Sequence, residues 1–247
     1  MESCRCDAIV LATMDYREAD RLVTLFTREL GKVRGVARGA KRSVRRFGGA
    51  LELFARSSVE LVPVEGLCRL QGADLQTLYP GIRRDLARIA YAGYAAELVD
   101  SLVPEGVPYP RIFRLLTTYL QHLEGSAEVS PSDRRFYEMN LLTILGYRPA
   151  LDACGGCGVE LSAAGRVFVG PAGQLLCERC GRGGRPVATS TLLLLRRCLV
   201  SGRFGSVVFA PPELAEAGSF LDLLLDTHLH RPLKSLAFLR EMGEQSS

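Results

Sequence analysis

Between residues 6 and 78 the apolar positions either alternate with polar ones or gather in short continuous runs, with glycines between them. A period of two belongs to a strand, whose side chains point to opposite faces in turn. The pattern predicts five strands, over Ala8–Ala12, Arg21–Thr27, Lys32–Arg38, Leu51–Val62 and Leu67–Ala73. Gly31, Gly35, Gly39, Gly48, Gly49 and Gly66 are available for the turns and bends between them. An open sheet this small would leave two unpaired edges, so a closed barrel of OB type is the expected form of residues 1–79.

After Tyr79-Pro80-Gly81 the period becomes helical. Ile82, Leu86 and Ile89, continued by Leu98 and Leu102, form one stripe that Pro104 ends. A second helix is predicted over 111–123, with Phe113, Leu116, Tyr119 and Leu120 on one side. A third begins at Ser130-Pro131, a serine at the cap position with proline in the first turn, and carries Phe136, Met139, Leu142 and Leu145. Residues 152–186 lose the helical period and become rich in Gly and Cys. Helical patterning returns over 190–200, 212–228 and 232–242, so the cysteine segment reads as an insert between helices. The fold class is α+β, with the barrel (1–79) followed by a helical domain (80–247) that carries the insert (152–186).

Charge sharpens this division. The net charge is +4, but residues 28–46 alone hold eight bases against Glu29 and carry +7, which leaves −3 for the rest. The positive field is thus local, and it implies a local anionic partner. With 47% hydrophobic and 23% charged residues over 247 positions, the chain can bury a sizeable core. It contains no apolar run of 18 residues, and Asp15, Arg17, Glu18 and Asp20 interrupt the stretch where a signal peptide would need its apolar segment. The expected location is the cytoplasm, with no membrane partner.

Cysteine spacing supplies the candidate chemistry. Cys154-Gly-Gly-Cys157 and Cys177-Glu-Arg-Cys180 are two C-x-x-C pairs separated by 19 residues, a spacing suited to tetrahedral four-thiolate zinc. A hairpin through Val167–Gly170 and Gln174–Leu176 would return the second pair to the first. Glycine follows the second cysteine of each pair, where backbone N–H groups must turn toward sulfur. Arg179, Arg182 and Arg185 can offset the charge of the centre. Four cysteines close the coordination sphere, so the expected zinc, one per chain, is structural rather than catalytic. The competing reading is a pair of disulfides or a thiol redox couple. Cys4, Cys6, Cys68 and Cys198 lack partner spacing and read as packing residues or exposed thiols, and His122, His228 and His230 as surface or core residues.

Strand alternation in Lys32–Arg38 puts Lys32, Arg34 and Arg38 on one face and Val33, Gly35 and Ala37 on the other, toward a tight interior. Lys41, Arg42, Arg45 and Arg46 continue the row in a loop that ends at Phe47. Rows of bases on such a barrel track a phosphate backbone, and nearby rings stack bases without regard to sequence. Tyr16, Phe47 and Phe54 are the candidate rings, although Phe54 also suits the core.

These residues carry a family resemblance. Ala8-Ile-Val-Leu11, the run Tyr16–Thr27, Gly31, Arg38-Gly-Ala-Lys-Arg42, Arg46-Phe47 and Leu51-Glu-Leu-Phe54 closely resemble the N-terminal signature of the bacterial recombination mediator family RecO. The helical body, the four-cysteine insert and the closing His230–Leu236 segment extend the resemblance over nearly the whole chain. It implies an OB-fold followed by a helical domain with a zinc insert, and no enzymatic turnover. It also implies binding of single- and double-stranded DNA and annealing of complementary strands. The implied partners are RecR, the acidic tail of single-stranded DNA-binding protein and, indirectly, RecA, in a nucleoid-associated setting. Carried onto this sequence, the DNA contacts fall to Lys32, Arg34, Arg38, Lys41, Arg42, Arg45 and Arg46, and the metal to Cys154, Cys157, Cys177 and Cys180. Some relatives lack the four cysteines, which separates the metal from the common activity.

Two other function classes make different demands. An enzyme such as a nuclease would need clustered carboxylates, a phosphate loop or a nucleophile elbow, none of which the sequence offers. A zinc-ribbon regulator would prefer one duplex sequence, and a scaffold without annealing activity would not bind DNA.

Overall fold

A computed structural model describes residues 3–64, 66–161 and 165–242. The chain forms two compact units that meet in sequence between Ala127 and Glu128.

The first unit opens with a closed five-stranded barrel. Its strands are β1 (Cys4–Tyr16), β2 (Asp20–Thr27), β3 (Gly31–Ala37), β4 (Arg56–Val62) and β5 (Cys68–Thr77), in the order β1-β2-β3-β5-β4. All neighbours are antiparallel except β3 and β5, which run parallel and pair Gly35 with Cys68. This closure leaves no exposed edge. The five expected strands are all present, with different ends. β1 and β5 extend past the predicted segments, and β4 starts at Arg56 because 51–55 turns inward to close the barrel. Leu51 and Ala55 lie in the core beside Val10, Val23, Leu25, Val59 and Leu61. Gly35 faces this interior, where an added Cβ would lie 2.4 Å from Leu70 Cδ1. The small residues of β3 are therefore required by the width of the barrel.

Between β3 and β4 the one-turn α1 (Val44–Phe47) inserts Phe47 into the barrel core. Phe47 and Phe54 are both buried, so two of the three rings expected to stack on bases instead pack the protein. Burial of a phenylalanine contributes about 1.5–3 kcal/mol, which favours this placement over exposure. Tyr16, at the tip of the β1–β2 hairpin, is the ring that reaches solvent.

The same unit contains α2 (Pro80–Arg84), α3 (Leu86–Leu102) and α4 (Pro110–Gly125). Asp85 caps α3 through the Arg88 N–H, and Arg88 reaches across to the carbonyl oxygens that end α4. Gly31 joins barrel to helices: its φ is +71°, and an added Cβ would fall 2.0 Å from the Val107 carbonyl oxygen, so only glycine fits this turn.

The second unit has α5 (Pro131–Ile144), a small sheet of β6 (Val167–Val169), β7 (Leu175–Cys177) and β8 (Arg185–Val187), then α6 (Thr189–Val200), α7 (Pro211–Asp226) and α8 (Lys234–Glu241). The expected hairpin is β6–β7, with β8 added on the other side of β6. Ser130 occupies the cap position of α5, but its side chain makes no capping bond; its carbonyl oxygen accepts from Asp133 and Arg134 instead. The helix buries an ion network: Arg134 Nε lies 3.0 Å from Glu138 Oε1, while Arg135 Nη1 reaches Glu138 Oε2 at 2.8 Å and Asp222 Oδ1 of α7 at 3.1 Å. Burial and the nearby Glu138 raise the Asp222 carboxyl above its ordinary range. Burial likewise pushes the Cys6 and Cys198 thiols up to about 12, which makes them inert packing residues. No helix among the described residues is long and apolar enough to cross a membrane.

Candidate nucleic-acid interface and metal centre

The seven cations singled out in the sequence do not form one row. β3 alternates as expected, with Gly35 and Ala37 buried and Arg34 exposed. Lys32 departs from the expectation: it points away from the barrel interior but is buried by the helices, at 6% exposure. Its ammonium donates to the carbonyl oxygen of Asp100 and lies 3.5 Å from Asp100 Oδ1 on α3. A side chain covered in this way ties barrel to helix and does not join the exposed cations. Arg34 is half exposed and pairs with Glu105, Nε to Oε1, at 3.0 Å.

The other five cluster at the opposite end of β3. The Gly39 N–H donates to Asp20 Oδ1 at 2.8 Å and the Lys41 N–H to the Ala19 carbonyl oxygen at 3.1 Å. These two bonds fasten the loop after β3 to the tip of the β1–β2 hairpin. Two of the five cations meet carboxylates of that tip: Lys41 Nζ is 2.8 Å from Asp15 Oδ2, and Arg42 pairs with Glu18. Both pairs are solvent-exposed, so their net contribution to stability is small and salt weakens them.

Arg38, Arg45 and Arg46 are exposed and have no carboxylate at ion-pair distance among the described residues. Arg46 is oriented by Nε to Ser43 Oγ at 3.1 Å and by Nη2 to the Arg38 carbonyl oxygen at 2.8 Å, and it lies over the ring of Phe47. Half-exposed Tyr16 is covered on one side by Arg17, and Met14 is exposed beside it on β1. The end of the barrel thus presents cations next to an aromatic and an apolar side chain, the combination that engages phosphates and bases together. The acids Asp15 and Glu18 are part of this site and were not evident as such. Their hairpin-tip position is legible in the sequence, but their pairing depends on how the loop folds back.

In the insert, β6 and β7 bring the two C-x-x-C turns together. The sulfurs of Cys154, Cys157, Cys177 and Cys180 all lie within 4.8 Å of one another, and Cys157 and Cys177 are 3.7 Å apart. All four are free thiols, so the disulfide reading fails. Main-chain N–H groups of Cys177 and Gly156 point at Cys154 Sγ from 3.3 and 3.4 Å. These bonds, that from Cys177 foremost, hold the Cys154 thiol down to about 6, whereas Cys180, whose S–H donates to Cys157 Sγ, is pushed up to about 12. Four sulfurs this close cannot all ionise without a cation among them, which fits the set to a metal ion. Arg179 hydrogen-bonds Cys157 and Cys180 and adds positive charge at the exposed side.

The two glycines after the cysteine pairs serve different needs. Gly158 has φ +73°, as expected, whereas Gly181 has ordinary backbone and is required for space, because an added Cβ would lie 2.7 Å from Phe168 Cβ. The arrangement can hold a metal ion with four protein ligands and leaves no ligand position for a substrate.

Comparison with known proteins agrees with this architecture. Residues 1–79 match the family model described as recombination protein O N terminal, and residues 83–237 match recombination protein O C terminal. The chain is 60% identical over 242 residues to the DNA repair protein RecO of Geobacter sulfurreducens, covering 98% of this chain and 99% of that protein. The protein of the same name from Geobacter metallireducens is also 60% identical over 242 residues, with the same coverage. That from Pelobacter propionicus is 46% identical over 243 residues, covering 98% of each chain. A five-stranded barrel, a helical remainder and a four-cysteine insert, matched along almost the whole length, together show that the chain belongs to the RecO family of DNA repair proteins.

Proposed function

We propose that this protein is a non-enzymatic recombination mediator that grips single- and double-stranded DNA at the barrel end bearing Arg38, Lys41, Arg42, Arg45 and Arg46, and anneals complementary strands. The observation that carries the proposal is the group of three exposed arginines, Arg38, Arg45 and Arg46, without carboxylate partners among the described residues, on the segment fastened to the hairpin tip that bears Tyr16. Guanidinium groups in this setting neutralise phosphates and release counterions, which favours binding without sequence preference. Two strands held near one positive surface repel each other less, and their own base pairing drives the annealing. No cofactor is consumed.

The nucleic-acid contacts belong to the barrel domain, residues 1–79, and the helical remainder, 80–247, carries the insert and the protein contacts. Four thiolates gathered within 4.8 Å of one another suit zinc, one per chain, which holds the glycine-rich insert together. Following the family, the partners are RecR, the acidic tail of single-stranded DNA-binding protein and, through them, RecA, in the cytoplasm at the nucleoid. A strand-annealing assay with and without nucleotide, across a salt series, tests the proposal. Acceleration at low salt without nucleotide supports it. A requirement for nucleotide, a strong preference for one duplex, or no DNA binding would replace it with an enzyme, a sequence-reading regulator or a scaffold, respectively.

A further inference from the structure

At the other end of β2 lies a cavity of about 410 Å³, between the β2–β3 turn and the start of α4. Among the described residues four arginines line it, Arg28, Arg56, Arg111 and Arg114, against the single carboxylate of Asp7. Asp7 is already engaged: its Oδ1 accepts from Arg56 Nε at 2.9 Å and its Oδ2 from Arg56 Nη2 at 2.6 Å. Arg56 also lies 5.9 Å from the centre of the Phe113 ring, so this pair forms the floor of the cavity. Arg28 is fixed in place by its main-chain N–H, which donates to the Asp7 carbonyl oxygen at 2.9 Å. Glu29 is turned to the Asp7 N–H and does not line the cavity.

Arg28, Arg111 and Arg114 remain exposed, with no carboxylate at ion-pair distance among the described residues. Arg111 and Arg114 stand one helical turn apart on the exposed side of α4, whose opposite side is buried through Ile112, Phe113 and Leu116. Three like charges converging on one cavity repel one another, and an anion with several acceptor oxygens relieves that repulsion. Among the described residues the apolar ones lining it are Pro110 and the buried Phe113. Without an apolar groove for side chains, the cavity suits a phosphodiester backbone better than an acidic peptide.

We propose that this cavity is a second phosphate site, taking a segment of polynucleotide separate from the one held near Arg38. The proposal rests on the DNA-binding reading above and deepens it. The register pairs Ala37 with Arg21 at one end of β2 and Gly31 with Thr27 at the other, so the sites are separated by about six residue steps of strand. That distance is roughly 20 Å, enough for two segments to lie on one barrel without sharing phosphates.

Arginine protection in the full chain tests the site. The protein is treated with phenylglyoxal, alone and with saturating oligo(dT), and modified arginines are mapped by mass spectrometry. Protection of Arg111 and Arg114 by oligo(dT), together with Arg38 and Arg45, is the expected result. The exposed pair R111Q/R114Q should make the slope of log affinity against log salt shallower by about 1.4, at roughly 0.7 per phosphate on a single strand. Protection confined to Arg38 and Arg45, with an unchanged slope in R111Q/R114Q, overturns this inference and leaves the DNA-binding reading standing. Protection at neither set overturns both. Protection of Arg111 and Arg114 by an acidic nonapeptide but not by oligo(dT) overturns the phosphate site in favour of a peptide site.

Discussion

Lys32 on β3 donates to the main-chain carbonyl oxygen of Asp100 on α3, so a residue in the most basic stretch of the chain joins barrel to helix. The Lys32 carbonyl oxygen in turn accepts from the Gly106 N–H at 2.9 Å, which makes the attachment two-sided. Lys32→Ala should therefore lower stability by about 2 kcal/mol, the scale of a lost hydrogen bond to a charged group. DNA affinity of the folded protein should stay unchanged. Urea unfolding and an oligonucleotide titration separate the two effects; intact stability with weakened binding would return Lys32 to the interface.

The acids at the hairpin tip give the opposite kind of prediction. Asp15 and Glu18 hold Lys41 and Arg42 in exposed pairs and add negative charge where a phosphate would approach. Removing them in D15N/E18Q should tighten single-strand binding several-fold at low salt, with the gain fading as the screening length falls to about 10 Å at 0.1 M. Binding that weakens, or a gain independent of salt, would show that these carboxylates support the interface instead of opposing it.

The rings separate by burial. Phe47→Ala should cost about 3–5 kcal/mol of stability, as expected for emptying a core position. Tyr16→Ala should leave stability nearly unchanged and weaken single-strand affinity by about 1–3 kcal/mol, the value of one base stack. Thermal melts and anisotropy titrations distinguish them. Equal loss of affinity in both variants at full stability would contradict the assignment of Phe47 to the core.

The insert should depend on its metal. Cys154→Ser or Cys177→Ser should abolish the bound zinc, expected at one per chain, and expose the 152–186 segment to proteolysis, because a lost ligand undoes the metal's cross-link between the two C-x-x-C turns. DNA binding through the barrel should persist. Elemental analysis and limited proteolysis read these outcomes, and freshly purified wild-type protein without metal would refute the zinc assignment.

The sequence made the barrel legible because strand alternation and glycine spacing both reflect its narrow interior: Gly35 stands against Leu70 where any larger residue would collide. The cysteine site was legible because its ligands come in two local turns whose spacing is set by the metal's geometry. The cationic site was legible only as a composition. Alternation assigns Lys32 to the outer face of the barrel, but whether that face meets solvent depends on α3, some 70 residues later in the chain. Phe47 reads as the end of a basic loop and turns inward only because one helical turn follows Ser43. Arg111 and Arg114 give no signal until β1 and β2 bring Asp7 and Arg28 beside them.

The most direct test of the cationic grip is the salt dependence of single-strand affinity for wild-type protein and for R38Q/R45Q/R46Q. Wild type should give a slope of log affinity against log salt of about −3 to −4, and the variant should lose about 2 of it, at roughly 0.7 per phosphate contact. A variant that binds with the wild-type slope, or a wild type indifferent to salt, would contradict the account.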